Sequence, residues 1–571
     1  MNKKQVLEWL EHIIERIEED KPTGKWRLHG PISTREKQAL EQALTMLAVS
    51  DMGGNGISGV KPVYTDSDVH DLVSKQAEGT EKSHDVEPEE VAVPTTPNVS
   101  LNVRSLEIAS PENPEITLCL DFGTAMSKAF AMLGHTRPLE LALGKRAGAT
   151  GYAVDSSLFI SDDGTLFFGP QAVDKGIDAA ESGRASYDSP KARLSMGKQG
   201  DLDRINLNEK HNPTGIPMSE GEMITLFLAY LTDLATSELE AQGYSRYVLR
   251  RFARPCWPDD RNKWAEPLLR RMLAQAQVIA DTFHERWMGG IPLAEAKAAL
   301  HKVKELAAAP EYLIDHGVPE PVAAAASLIM GEDDEGQREL FLVVDVGAGT
   351  TDFGLFLLQN NPISGVCQIR IIPGSIEYLP QAGNRVDELL KFYVLDSEGI
   401  DPASPEGRHN LAYLQSTIRM LKEALFRDGI VEVTLANHTR VIVEREAFMA
   451  NEKVKNFTKQ LEQKVAAVLE SVGEGYLGLM PDGVLNVVLT GGGATLPMVT
   501  QLASGVILAH GRNILRKAAP LVPTWIEDSY PQFAPQYPQL AVAIGGANPE
   551  LPVMGESFAD FKGLGKPTYL A

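Results

Sequence analysis

Two distant segments of this chain repeat one pattern of apolar and polar positions. "ITLCLDFGTAMSKAFAML" occupies 116–133 and "LFLVVDVGAGTTDFGLFLL" occupies 340–358. Each is an apolar run, an aspartate, a loop of glycine, alanine and threonine, and a second apolar run. Short apolar runs bounded by small residues predict buried strands, so each segment reads as a β-hairpin. A third stretch, "VLNVVLTGGGATLPMV" (484–499), predicts a buried strand, a glycine turn and a helix start.

Elsewhere the pattern is mainly helical. Val6, Leu7, Leu10, Ile13, Ile14 and Ile17 lie on one helix face within residues 1–20. A second helix is predicted from Ser33, with Glu36 completing a capping box, through Leu40, Leu44 and Leu47. Residues 50–113 are rich in Gly, Pro, Ser, Thr and acid, which predicts a disordered acidic linker. From 114 to about 550, strand and helix patterns alternate as in an α/β protein, and the echo between the hairpins suggests a duplicated lobe. The expected organisation is a helical N-terminal extension (1–49), the linker (50–113), the α/β part (114–550) and a tail (551–571).

Composition narrows the partners. The 571 residues are 43% hydrophobic and 23% charged, the balance of a soluble globular protein. A net charge of −23 argues against nucleic acid, which clustered Lys and Arg would have to hold. The N-terminus has no signal-peptide core and no apolar run approaches membrane-spanning length, so no membrane partner is expected. Cys119, Cys256 and Cys367 are scattered without a CxxC pair, which fits free thiols and a cytoplasmic location.

The glycine loops carry the candidate chemistry. Backbone N–H groups can ring a phosphate only where side chains stay small. Gly123, Thr124 and Ala125 suit this in the first hairpin, and Gly347, Gly349, Thr350 and Thr351 in the second. An aspartate at each strand end, Asp121 and Asp345, would repel a bare phosphate but accommodates a hydrated Mg²⁺ between them. Gly491, Gly492 and Gly493 would let a nucleoside approach closely.

These three motifs together resemble the actin/Hsp70/hexokinase ATPase superfamily. "SPKARLSMGK" (189–198), "RFARPCWPDDR" (251–261, placing Pro255 and Asp260), "PEPVAAAASLIMG" (319–331), "MLKEALF" (420–426), "VEREAFMAN" (443–451) and "PQLAVAIGGA" (538–547) narrow the resemblance to the Hsp70 nucleotide-binding domain. The resemblance implies an actin-like ATPase fold, with two lobes of duplicated ribonuclease-H-like domains around a nucleotide cleft. Lobe I would take about 114–334 and 530–550, and lobe II about 335–529. A mainly helical insertion would occupy 283–318.

By the same resemblance the cofactors are ATP and Mg²⁺. Asp121 and Asp345 would face the hydrated metal, with Asp345 also in the catalytic set, and Thr124 and Thr350 would face the phosphates. Glu320 and Asp352 would orient the attacking water. Lys191, with Arg193 as its competitor, would neutralise the γ-phosphoryl group.

The implied function is a chaperone-type ATPase with slow turnover. It would switch a protein partner or client through the N-terminal helices, with a co-chaperone or nucleotide-exchange factor as further partners. Rival readings are an actin-like filament-forming ATPase and a non-hydrolysing scaffold. The chain departs from the Hsp70 pattern at Ala348, where a glycine is usual and a positive φ would make alanine costly, and at Thr495, where an arginine is usual. It also departs around Phe426–Gly429, where part of a Glu/Lys pair is missing. So few residues follow 550 that the Hsp70 peptide-binding domain is not expected.

Overall fold

The hairpin strands pair as their apolar runs predict, and the rest of the architecture grows outward from them. The computed structural model describes residues 17–20, 25–28, 97–328, 339–360, 367–480 and 483–554. Residues up to Val93 form one unit and those from Pro94 onward another.

In the first unit, Ile17–Asp20 is a strand paired antiparallel with Lys25–Leu28. The helix predicted across 1–20 therefore does not reach Asp20. Pro22 and Gly24, between the two strands in sequence, are turn formers that favour a hairpin over helix continuation. The remainder of the predicted N-terminal helices lies outside the described residues.

The second unit is α/β, with two sheets of one topology. In the first sheet, β1 (Ile116–Asp121), β2 (Met126–Leu133), β3 (Leu249–Arg254) and β4 (Ile314–Pro319) stand in the order β4-β3-β1-β2, followed by Arg137–Leu139. In the second, β5 (Glu339–Val346), β6 (Thr351–Asn360), β7 (Cys367–Ile371), β8 (Val484–Thr490) and β9 (Arg512–Ala518) stand in the order β9-β8-β5-β6-β7. Both have an antiparallel hairpin at the centre, an antiparallel strand beyond its second arm and two parallel strands beyond its first. The resemblance between residues 116–133 and 340–358 is thus repeated by whole sheets.

Eight helices matter for the site: α1 (Lys191–Met196), α2 (Glu220–Ala241), α3 (Asp259–Thr282), α4 (Leu293–Glu305), α5 (Glu320–Ala326), α6 (Gly383–Ser397), α7 (Ile418–Asp428) and α8 (Tyr537–Ala547). The first sheet packs with α2, α3 and α4 around Leu118, Phe122, Phe227, Leu273 and Leu300. The second has its own core around Leu342, Val344, Val386, Leu425 and Leu461. Between them, Ala323 and Ala325 of α5 and Val542 of α8 pack with Phe341, Val343 and Val488. Here α5 and α8 touch through backbone: a Cβ on Gly545 would lie 1.7 Å from the Ala323 carbonyl oxygen.

Two expected boundaries move. Residues 97–113 are packed rather than part of a tether: Val99 and Ser105 are buried, Lys302 Nζ donates to the Val99 carbonyl at 2.6 Å, and Tyr312 Oη donates to that of Ser105 at 2.7 Å. The apolar residues there find partners on elements distant in sequence. The expected insertion at 283–318 contains α4, two short 3-10 turns and the strand Ile291–Pro292, but its last residues are already β4 of the first sheet. Buried Trp287 anchors it against Phe168 and Tyr230, with Phe283 of the same segment packed on its ring. Of the C-terminal tail, Val553–Met554 pairs parallel with β7.

Gly545→Ala should force α5 and α8 apart and destabilise the chain by about 2–3 kcal/mol, seen as a lower thermal midpoint. Gly215→Ala, where a Cβ meets nothing within 4 Å, should leave the midpoint nearly unchanged.

Candidate functional site

Asp121 ends β1, and Asp345 is the penultimate residue of β5. The strand pairing β1–β2 sets Lys128 opposite Asp121, and β5–β6 sets Asp352 opposite Asp345. Between the two sheets lies a cavity of about 500 Å³. Its wall includes Asp121, Gly123, Thr124, Ala125, Lys191, Glu320, Asp345, Gly347, Thr350, Gly491, Gly492 and Gly493. All of these were singled out from the sequence.

Local bonds fix each loop. Gly123 N–H donates to Ser127 Oγ at 3.2 Å, and Ser156 Oγ donates to the Gly123 carbonyl at 2.8 Å. A Cβ on Gly123 would meet the Met126 carbonyl oxygen at 1.9 Å, so this turn excludes any larger residue. The second loop is held from α6, whose Gly383 and Asn384 N–H groups donate to the carbonyls of Gly347 and Ala348 at 3.1 and 2.8 Å. Gly491 N–H and Thr490 Oγ1 both donate to the carbonyl of Pro538 in the first turn of α8, and Gly493 N–H donates to that of Val346. Gly491 has φ +84°, and a Cβ there would lie 2.7 Å from Asp345 Oδ1. The triple-glycine loop therefore crosses directly over Asp345.

Three predicted residues do not reach the cavity wall. Asp352 is fully buried behind it, with Oδ1 accepting from the Cys256 N–H at 2.9 Å. Directly opposite Asp345, it shares that residue's face of the sheet, and its bond to the Cys256 backbone ties the second hairpin to the segment just after β3. Thr351 is also buried, and its Oγ1 donates to the Gln381 carbonyl at 2.9 Å. Gly349 instead meets the first hairpin, since a Cβ there would lie 3.0 Å from Thr124 Oγ1. Ala348 is not among the residues with positive φ, so the expected cost of alanine does not arise. Asp260 is fully exposed on α3 and takes no part in the site. Between Lys191 and Arg193, the fold selects Lys191: it lines the cavity, while Arg193 is half exposed and paired with Glu220 at 3.1 Å.

The electrostatics are those of crowded carboxylates. Burial, then Glu320, Asp352 and Asp121, push the Asp345 carboxyl well above its usual range. Burial also raises Asp352. Glu320 is pushed up to about 7, first by burial, although Lys191 beside it pulls the other way. Burial works to lower the Lys191 ammonium, but Glu320 and then Asp121 outweigh it, so it holds its proton more firmly than usual. Lys191 Nζ donates to Glu320 Oε1 in a buried ion pair. Asp345 Oδ1 and Asp352 Oδ2 are buried with no hydrogen-bond partner.

Further residues line the wall, some of them on the helix marked by "MLKEALF" and others not named from the sequence. Lys128 pairs with Asp121 at 3.2 Å, and its position opposite Asp121 was readable from the hairpin register. Helix α7 presents Arg419, Lys422, Glu423, Phe426 and Arg427 along one face, while Gln539 enters from α8. Lys422 pairs with Asp387 at 2.8 Å. Arg419 spans the cleft mouth to Asp155 at 3.3 Å, linking α7 to the strand beside β2. No local pattern announces the Arg419–Asp155 and Lys422–Asp387 pairs.

No family model matches the chain. The chaperone protein DnaK of Trichormus variabilis is 28% identical over 193 residues, covering 32% of this chain and 26% of that protein. Part of this chain is distantly Hsp70-like. The chaperone protein HscA homolog of Acidithiobacillus ferrooxidans is 27% identical over 184 residues, covering 32% of this chain and 27% of that protein. The chain thus spans about a quarter of the length of the Hsp70-type relatives it matches. Among the described residues no helix is long and apolar enough to cross a membrane.

The raised Glu320 fixes the sign of one pH effect. Its folded value of about 7 lies above the ordinary 4.5, so between these the folded chain binds more protons than the unfolded chain. This contribution to stability is fully present below about 4.5 and is lost as pH rises through about 7. The difference in thermal midpoint between wild type and Glu320→Gln, measured without metal or nucleotide, should shift across that window in this direction.

Proposed function

We propose that this protein is an Hsp70-type ATPase that binds Mg-ATP, turns it over slowly and uses closure of two lobes as a switch for a protein partner. In this reading the two sheets are duplicated ribonuclease-H-like cores of an actin-like fold, and the cavity between them is the nucleotide cleft. One observation carries the proposal. Two aspartate-bearing hairpins and a triple-glycine loop, from three separate segments, converge on one cavity where Asp345 Oδ1 is buried without a partner.

The residues present fit a hydrated cation. An unpartnered carboxylate oxygen among raised carboxyls favours a positive charge beside it. Mg²⁺ keeps several of its waters and is held through only one or two carboxylates. When bound, Mg²⁺ would supply charge neutralisation between the phosphates and the carboxylates.

The chain's own groups divide the remaining work. Gly123, Thr124, Ala125, Gly347 and Thr350 would bind phosphate oxygens, with backbone N–H groups exposed because side chains are small. Lys191 would shift from Glu320 toward the terminal phosphoryl group, and Glu320, so released, would accept a proton from the attacking water. Asp352 would hold the second loop from behind. Gly491, Gly492 and Gly493 would border the nucleoside, with α7 as the facing wall. Transfer of this kind depends on positioning and charge stabilisation more than on covalent chemistry.

Isothermal titration with Mg-ATP and a phosphate-release assay test the reading. Asp345→Asn and Glu320→Gln should each lower turnover by about 10²–10³. The absence of Mg-ATP binding by the wild-type chain would overturn the proposal. The unit ending at Val93 is proposed as the partner-binding surface, so removal of residues 1–93 should preserve nucleotide binding while abolishing partner capture.

A further inference from the structure

The two matched aspartates differ in surroundings, and the difference assigns them different tasks. Asp121 is occupied: Lys128 Nζ lies 3.2 Å from its Oδ2, with both side chains largely buried. Asp345 is not: its Oδ1 has no partner, and the residue facing it across the hairpin is a second carboxylate, Asp352. Equivalent hairpin positions thus hold a carboxylate–ammonium pair in one sheet and a carboxylate–carboxylate pair in the other.

A cation is drawn to uncompensated negative charge. An ammonium in contact with Asp121 cancels most of that carboxylate's pull, whereas a second carboxylate opposite Asp345 strengthens it. Lys128 also belongs to the cavity wall, beside the first glycine loop: its Nζ would lie 3.7 Å from a Cβ on Gly123. An ammonium held there faces the space that the loop leaves for anionic oxygens.

We propose that Asp121 is a positioning residue for Lys128, which contacts a phosphate of the bound nucleotide, and that the metal is held on the Asp345 side alone. This rests on the nucleotide reading and revises its symmetric assignment of the metal to both aspartates. Lys128 and Lys191 then approach the phosphates from separate elements, β2 and α1. The metal dependence of binding comes from the second hairpin.

The test measures the affinity of the full chain for ADP by titration calorimetry, with Mg²⁺ and with EDTA, so that turnover plays no part. Lys128→Met should weaken binding about ten- to a hundredfold in both conditions, the range for a lost hydrogen bond to a charged group. Asp121→Asn should weaken binding similarly in both while keeping the wild-type ratio between Mg²⁺ and EDTA. Combining the two substitutions should add little to either alone. Asp345→Asn should collapse that ratio toward one, and Lys128→Arg should recover part of the affinity lost in Lys128→Met.

If Asp121→Asn collapses the ratio as Asp345→Asn does, or if Lys128→Met binds like wild type, the division of tasks is wrong. If wild type fails to bind ADP under either condition, the nucleotide reading itself fails.

Discussion

Four carboxylates buried around one cleft, from Asp121, Glu320, Asp345 and Asp352, cannot all stay charged without cations between them. At an effective dielectric near 20, two like charges about 4 Å apart repel by about 4 kcal/mol. Burial removes the water that would otherwise screen them. Lys128 and Lys191 answer part of this charge by contact, and the raised carboxyls of Asp345 and Asp352 mark the part left over. Under the proposed function, a cation is the ligand that would answer this remaining charge. The glycine loops beside it would take the phosphates in the same proposal.

The fold delivers these groups by using strand ends. Asp121 and Asp345 lie at the carboxyl ends of the central strands of two sheets of the same topology, the edge where open α/β sheets present their loops to ligands. Glu320 is the first residue of α5, directly after β4, and the glycine loop at 491–493 follows β8 directly. The α5–α8 contact at Gly545 holds the sheets at the spacing that leaves a cleft. Arg419 and Asp155 meet across its mouth, so the wall formed by α7 is tied to the opposite half by charge as well as by the shared base.

Much of this was legible in the residues. The alternation of apolar runs and small-residue loops located both hairpins and the triple-glycine turn, and most of the loop residues named from it line one cavity. Legibility failed where environment decides. Residues 97–113 have the composition of a linker, yet Val99 and Ser105 are buried because α3, α4 and Tyr312 come to cover them. Helical spacing around Ile17 gave way to a hairpin. Asp352 stands at a loop rim in sequence but is fully buried, its carboxylate accepting from the Cys256 N–H of a segment distant in sequence.

Local sequence determined which segments could become buried strands, where backbone would be bare enough to approach a ligand, and which carboxylates stood beside those turns. These are properties of neighbouring residues, set by side-chain size and by the two-residue period of a strand. Tertiary structure alone decided that Asp345 would stay unanswered, that Lys191 would find Glu320, and that α7 would form the facing wall. Charge depends on distance and on surrounding water, and neither is defined for groups far apart in a chain until folding brings them together and dries the space between them.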